Sequence, residues 1–207
     1  MTKKEMLTVY VVDDDDAIRD SMKMLLGTAG LNVKPYNSAV AFLNDFDPSQ
    51  SGCLVADVRM PEMSGIELQK KLLAMGSTLS VIIMTGQGDI AMAVEAMKDG
   101  AVDFFEKPFD NSALLSRIGE CLEKQRQHLA RQAQLEENTQ LLNLLTPREK
   151  QIMTLLVNGK ANKAIAAELN ISARTVEVHR ARVMEKLKAR SLADVVRIAL
   201  GTDHSTS

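Results

Sequence analysis

Between residues 7 and 120, short β-rich apolar runs alternate five times with helical segments, and the runs stop at polar or charged residues. Leu7 to Val12 ends at four carboxylates, Asp13 to Asp16, which are poor strand residues and good helix starters. Apolar residues at 18, 22, 25, 26 and 29 then share one face of a helix over 17–29, which Gly30 closes. The pattern repeats: a strand over 32–36, a helix capped by Ser38 and running to Asp45, a strand over 53–56 ending at Asp57, and a helix over 64–75. A strand over 80–85, a helix over 89–99, a strand over 102–106 and a helix from Asn111 complete five β/α units. Such alternation predicts an α/β fold, a five-stranded doubly wound parallel sheet.

Functional groups in such sheets gather at the carboxyl ends of the strands. Here those ends supply Asp13 and Asp14, Asp57, Thr85 and Lys107, which are expected to converge on one cleft. Asp15 and Asp16 read instead as caps, favoured by the positive end of the following helix.

Beyond Glu120 the character changes. A Gln- and charge-rich stretch without Gly or Pro reads as a helical connector, and its apolar repeat (115, 118, 122, 129) fails at Glu136, so a sustained coiled coil is not expected. From Leu144 the pattern is wholly helical, over 147–157, 162–169, 172–188 and 191–200. Thr146-Pro147-Arg148-Glu149 supplies a capping box with Pro at the first helical position, and Gly159 a stop. The expected division is a domain over 1–124, a helical linker over 125–143 and an all-α four-helix domain over 144–207.

Charge divides along the same line. Residues 1–124 carry 12 Lys/Arg against 19 Asp/Glu, a balance of −7, and residues 125–207 carry 13 against 8, or +5. An acidic half joined to a basic half suits a cation or cationic protein for one and a polyanion for the other. Cys53 and Cys121, far apart in sequence and in apolar surroundings, read as reduced, buried thiols. No cleavable signal and no uninterrupted apolar span of ~20 residues occurs, so a cytoplasmic protein with no membrane association is expected.

In the C-terminal half, the helices over 162–169 and 172–188 are joined by a tight Asn170-Ile171 turn, a helix-turn-helix pattern. Val176, Val183 and Leu187 face inward, while Arg174, Glu177, Val178, Ala181, Arg182 and Glu185 recur on the opposite side, suited to a DNA major groove. Arg can read guanine edges, Glu177 can accept from a cytosine amine, and Ala181 permits close approach. Lys163, Ser172, Thr175, Arg180 and Lys188 read as phosphate contacts, and His179 as packing or phosphate contact.

Two adjacent acids after strand one, Val55-Ala56-Asp57-Val58-Arg59-Met60-Pro61 with Ser64-Gly65 around strand three, Thr85 after strand four and Lys107-Pro108 after strand five resemble the receiver domain of two-component response regulators. Leu-Thr-Pro-Arg-Glu at 145–149, Gly-Lys-Ala-Asn-Lys-Ala-Ile-Ala at 159–166 and Ile-Ser-Ala-Arg-Thr-Val-Glu-Val-His at 171–179 resemble the LuxR/NarL-class output domain. Over the whole chain the likeness is to FixJ-type regulators. The resemblance implies a flavodoxin-like receiver whose Asp57 accepts a phosphoryl group from a sensor histidine kinase, so that the protein is not a turnover enzyme. It further implies Mg2+ bound by Asp14, Asp57 and the Arg59 carbonyl, with Asp13 acting through water. Lys107 and Thr85 would contact the phosphoryl oxygens, and Thr85 and Phe104 would form the switch, Phe104 having core packing as its other reading. A cis Lys107-Pro108 bond is also implied. Expected partners are a two-fold operator in double-stranded DNA, RNA polymerase and a second copy of the chain on phosphorylation, with Ile90, Val94, Met97 and Phe105 as candidate dimer contacts, each having core packing as its other reading. Activation is the family's usual output.

Two rival readings fit part of the chain. Asp13-Asp14-Asp15 after an apolar strand is similar to the Asp-x-Asp of haloacid-dehalogenase phosphatases, which would leave no role for Asp57 or the basic C-terminal half. A DNA-binding regulator that works without phosphorylation is the nearer rival.

Overall fold

The computed structural model describes residues 7–86 and 90–201. They fall into two compact units divided after His128.

The first unit is an α/β layer structure. Strands β1 (Thr8–Val12), β2 (Asn32–Tyr36), β3 (Gly52–Asp57), β4 (Ser80–Thr85) and β5 (Asp103–Glu106) form one parallel sheet in the order β2-β1-β3-β4-β5. Helices α1 (Asp16–Thr28), α2 (Ala39–Asp45), α3 (Gly65–Ala74) and α4 (Ile90–Lys98) make the crossovers, and α5 (Asn111–Asn143) follows β5. The expected start of the fourth helix at Asp89 lies outside the described residues.

Local chemistry explains the boundaries. Asp15 N-caps α1 by accepting from the Ala17 amide at 2.8 Å, as expected of that acid. Ser38 caps α2, and Ser64 with Glu67 forms a capping box on α3. Burial on both faces of the central strands matches their continuous apolar runs. Tyr10, Val12, Leu54, Ala56, Val81 and Ile83 pack with Phe42, Leu68, Leu72 and Ala96 of α2, α3 and α4. The alternating residues Val9, Val11, Cys53, Val55, Ile82 and Met84 are equally buried, as are Met22 and Leu26 of α1 and Leu114 and Ile118 of α5.

The second unit is all-helical. The last part of α5 is followed by α6 (Pro147–Val157), α7 (Asn162–Glu168), α8 (Ala173–Lys186) and α9 (Leu192–Gly201). One core joins Leu145, Val183, Leu187, Val195 and Ile198, with Leu141 and Leu142 of α5 packed on it, and another joins Ile152, Leu156, Ile165, Ala166 and Val176. Thr146 and Glu149 form the expected capping box of α6. Helix α7 ends in a left-handed residue, Asn170 (φ 51°), after which the Ile171 amide reaches back to the Ala166 carbonyl at 3.0 Å. That turn sets α8 against α7, and Ser172 caps α8 by accepting from the Thr175 amide.

Candidate functional site

Sheet order reverses direction between β1 and β3, and in open α/β sheets the crevice at such a switch point is where ligands bind. Asp13 follows β1 there and Asp57 ends β3. Both are buried, at 1% and 7% exposure. Lys107, immediately after β5, reaches across β4 to place its Nζ 2.8 Å from Asp13 Oδ2 and 2.5 Å from Asp57 Oδ1. The Arg59 amide donates to Asp57 Oδ2 at 2.6 Å, and the Asp15 amide to Asp13 Oδ1 at 3.0 Å. Thr85 closes β4 and is buried; its carbonyl accepts from the Lys107 amide at 2.7 Å, which fixes the start of the lysine's reach. Asp14 is exposed beside the crevice. The Lys107-Pro108 peptide is cis, as the resemblance implied.

The electrostatics of this cluster are those of charge removed from water. Burial pushes the Asp57 carboxyl above the usual carboxylate range; the Lys107 ammonium and the Arg59 amide oppose that and the Asp13 charge adds to it. Burial acts to lower the Lys107 ammonium, but its hydrogen bonds to Asp13 and Asp57 outweigh burial and leave it raised. One ammonium therefore serves two carboxylates, an arrangement with capacity for a further cation.

Among the described residues no three His, Cys, Asp or Glu side chains form a closed metal cage. A hard cation that keeps much of its water shell does not need one: Mg2+ takes one or two carboxylates and completes its shell with water and carbonyl oxygens. Asp57, exposed Asp14 and the nearby Arg59 backbone suit that open donor set.

Two supporting features were not legible as site residues. Arg19, largely buried, donates from Nη1 to the Asp13 backbone carbonyl at 2.6 Å and pairs with Asp16, tying the β1–α1 turn to the first turns of α1. Its only signal is an arginine six residues after Asp13. Gly65 sits where a Cβ would collide with the Asp57 carbonyl oxygen, and its amide donates to the Val58 carbonyl at 3.1 Å. The Ser64-Gly65 pair was visible; its contact with Asp57 was not.

Phe104 corrects one of its two readings. It is registered against Ile83, on the face shared with α2, α3 and α4, but lies at the sheet edge and is 40% exposed, so it is not a core residue. Its neighbour Phe105 is the half-buried one, edge-on to Phe109 with ring centroids 6.2 Å apart. Val94 and Met97 on α4 are also exposed, which overturns core packing for them; the Ile90 side chain lies outside the described residues.

In the second unit, Val176, Val183 and Leu187 face the core as expected. Arg174, Glu177, Val178, Ala181, Arg182 and Glu185 lie exposed along the other side of α8, and Lys163, Ser172 and Lys188 are exposed as well. Thr175 and Arg180 are half-buried and already engaged: Ser172 and Thr175 share a hydroxyl hydrogen bond of 2.8 Å, and Arg180 donates to Asn162 Oδ1 at 3.4 Å. Arg174 pairs with Glu177 at 3.3 Å, and His179 is half-buried with its Nδ1 without a hydrogen-bond partner among the described residues. Glu149, buried at the start of α6, pairs with Lys186 in the last turn of α8 at 2.7 Å, a contact across the fold that neither residue's neighbours announce.

A parallel-sheet unit with a Lys-bridged acid pair at its switch point, followed by a helix-turn-helix unit, defines a response regulator. The response regulator receiver domain family matches residues 9–119 and the luxR family of bacterial regulatory proteins matches residues 143–199, and the chain belongs to these two-component regulators. It is 51% identical to the transcriptional regulatory protein FixJ of Azorhizobium caulinodans, over 95% of this chain and 93% of that one. It is 44% identical to the response regulator protein TodT of Pseudomonas putida, over 92% and 84%. Among solved structures, the response regulator StyR superposes with a TM-score of 0.85 at 43% identity, covering 94% of this chain and 98% of that one. The FixJ-type assignment read from the motifs therefore stands, as do the five-stranded receiver and the helical output domain. Among the described residues no helix is long and apolar enough to cross a membrane.

Proposed function

We propose that Asp57 accepts a phosphoryl group from a sensor histidine kinase and that the modified receiver dimerises and places two copies of α8 on a two-fold operator in double-stranded DNA, where it activates transcription with RNA polymerase. The observation that carries this reading is the Lys107 ammonium within hydrogen-bond reach of both buried carboxylates. A carboxylate attacking an anionic phosphoryl group meets charge repulsion, and cations placed beforehand offset it.

Each residue then has a task. Asp57 Oδ attacks the phosphorus as its bond to the kinase histidine nitrogen breaks and the imidazole leaves; Lys107 pairs with the transferred oxygens and balances their charge. Asp14, Asp57 and the Arg59 carbonyl would hold Mg2+, with Asp13 reaching it through water, and the ion would supply further neutralisation of the phosphoryl charge. Thr85 hydrogen-bonds the phosphoryl oxygens once they arrive, and Phe104 turns into the space that Thr85 leaves. The chain accepts a group and turns over no substrate of its own. The proposed division is a receiver over 1–124, a linker over 125–143 and the output domain over 144–207. On the DNA side, Arg174, Glu177, Val178, Ala181 and Arg182 read base edges, and Lys163, Ser172, Thr175, Arg180 and Lys188 hold phosphates.

The test is intact-protein mass after incubation with Mg2+ and a small phosphodonor. One phosphoryl adduct in wild type and none in Asp57→Asn is the expected result. Equal labelling of both proteins would move the acceptor elsewhere, and no label on either would favour a regulator that works without phosphorylation.

A further inference from the structure

Asn138 is buried on a stretch of α5 whose neighbouring polar residues, Gln134 and Glu137, are exposed; only 5% of Asn138 reaches solvent. Gln134 Nε2 donates to Asn138 Oδ1 at 3.1 Å, while Asn138 Nδ2 has no acceptor among the described residues. The amide reaches toward α9, where a Cβ on Gly201 would come within 2.9 Å of Nδ2. Asn138 lines a cavity of about 220 Å3 whose lining lies wholly in the second unit. A free donor in a concave site is the kind of group that fixes a ligand's orientation.

The lining carries both signs of charge on different walls. Glu137 stands with Asn138 on the α5 wall, and Lys188, just past the end of α8, stands with Arg197 of α9 on the other. Glu137 and Lys188 form no ion pair among the described residues, and Arg197 pairs there with Asp194 of its own helix at 3.3 Å. Leu141, Leu187 and Ile198, which belong to the core of the unit, complete the lining with apolar surface. A simple anion in this cavity meets the Glu137 charge and a simple cation meets two like charges, whereas a molecule carrying both charges and an apolar body suits every wall.

We propose that this cavity binds a free α-amino acid with an aliphatic side chain. Its carboxylate pairs with Lys188 and Arg197 and accepts from the Asn138 amide, its ammonium faces Glu137, and its side chain covers Leu141, Leu187 and Ile198. The volume, below the range of about 300–1,000 Å3 of larger ligand sites, restricts the occupant to a small metabolite. Bound there, the amino acid ties the last turns of α5 to the end of α8 and to α9. Lys188 is the one residue the site shares with the proposed DNA contacts, so the test is made without DNA.

The experiment is isothermal titration calorimetry of the full chain with L-leucine, L-isoleucine and L-valine. At least one is expected to bind at one site per chain and to slow amide hydrogen exchange in peptides covering 134–141 and 187–198. Analogues of the tightest binder that lack its ammonium (4-methylpentanoate for leucine) or its carboxylate (3-methylbutylamine for leucine) are each expected to bind at least about tenfold more weakly. Glu137→Gln and Arg197→Gln, changes at exposed positions, are each expected to weaken binding about three- to tenfold. No binding of any of the three at about 10 mM, an analogue that binds as tightly as its parent, exchange protection confined to other segments, or full affinity in both variants would each overturn the proposal. The wild-type ligand series decides whether or not the variants fold.

Discussion

The Asp57 carboxylate is held in the receiver against the cost of burying its charge. Because burial raises its pKa in the folded protein, Asp57 favours folding most when protonated; that contribution is fully present below the unfolded value of 3.8 and lost as pH rises through the higher folded value. At neutral pH the charge opposes folding. Asp57→Asn is therefore expected to raise the melting temperature of the receiver transition at pH 7, with the gap closing as pH falls toward 3.8; a variant that melts below wild type at pH 7 would contradict this. Gly65 makes the opposite prediction. A Cβ there meets backbone at the Asp57 carbonyl, which cannot swing aside as a flexible side chain would. Gly65→Ala should cost about 1–3 kcal/mol of receiver stability in denaturant melts and slow phosphodonor labelling of Asp57. An alanine variant as stable and as readily labelled as wild type would show that the β3–α3 turn relaxes freely.

Helix α8 has two jobs on two faces, and the Glu149–Lys186 pair shows how the second is supported. The Lys186 hydrogen bond, with the Thr146 amide, holds the Glu149 carboxyl down to about 2. A depressed carboxyl contributes stability that is present above the unfolded value near 4.5 and lost as pH falls through about 2. Lys186 is one-third exposed, so solvent screens the pair, and Glu149→Gln is expected to cost about 1–2 kcal/mol at pH 7, with the difference shrinking in melts taken at progressively lower acid pH. On the outer face, Arg182 has no hydrogen bond or ion pair to occupy its guanidinium among the described residues, unlike Arg174 and Arg180. Arg182→Ala should weaken operator binding by about 1–3 kcal/mol while leaving binding to random DNA nearly unchanged if the residue reads a base. An equal loss on both would assign it to a phosphate.

At the scale of the molecule, an acidic receiver and a basic output domain occupy one chain, and their coupling is the property to measure. Phosphodonor treatment is expected to convert monomer to dimer and to tighten operator binding in wild type, with neither change in Asp57→Asn, as read by light scattering and DNA titration at one fixed salt concentration. Donor-induced dimers of Asp57→Asn would break the link between the acceptor and the output. Much of this organisation is written locally. Among the described residues, period-two and period-3.6 patterns set the order of five strands and nine helices, Ser, Thr and Asp mark helix starts, and the gathering of groups at strand ends places Asp13, Asp57, Thr85 and Lys107 at one edge of the sheet from the sequence alone. Those signals depend on residues a few positions apart. The sharing of Lys107 between two carboxylates, the outward Phe104 beside the inward Phe105 and the pairing of Glu149 with Lys186 depend on sheet register, the edge position of β5 and the packing of α6 on α8, which join residues tens of positions apart. Local pattern determined which elements form and where their polar ends lie; only the packing of one element on another decided which side chains touch, because contact energies act through space and leave no periodic trace in the chain.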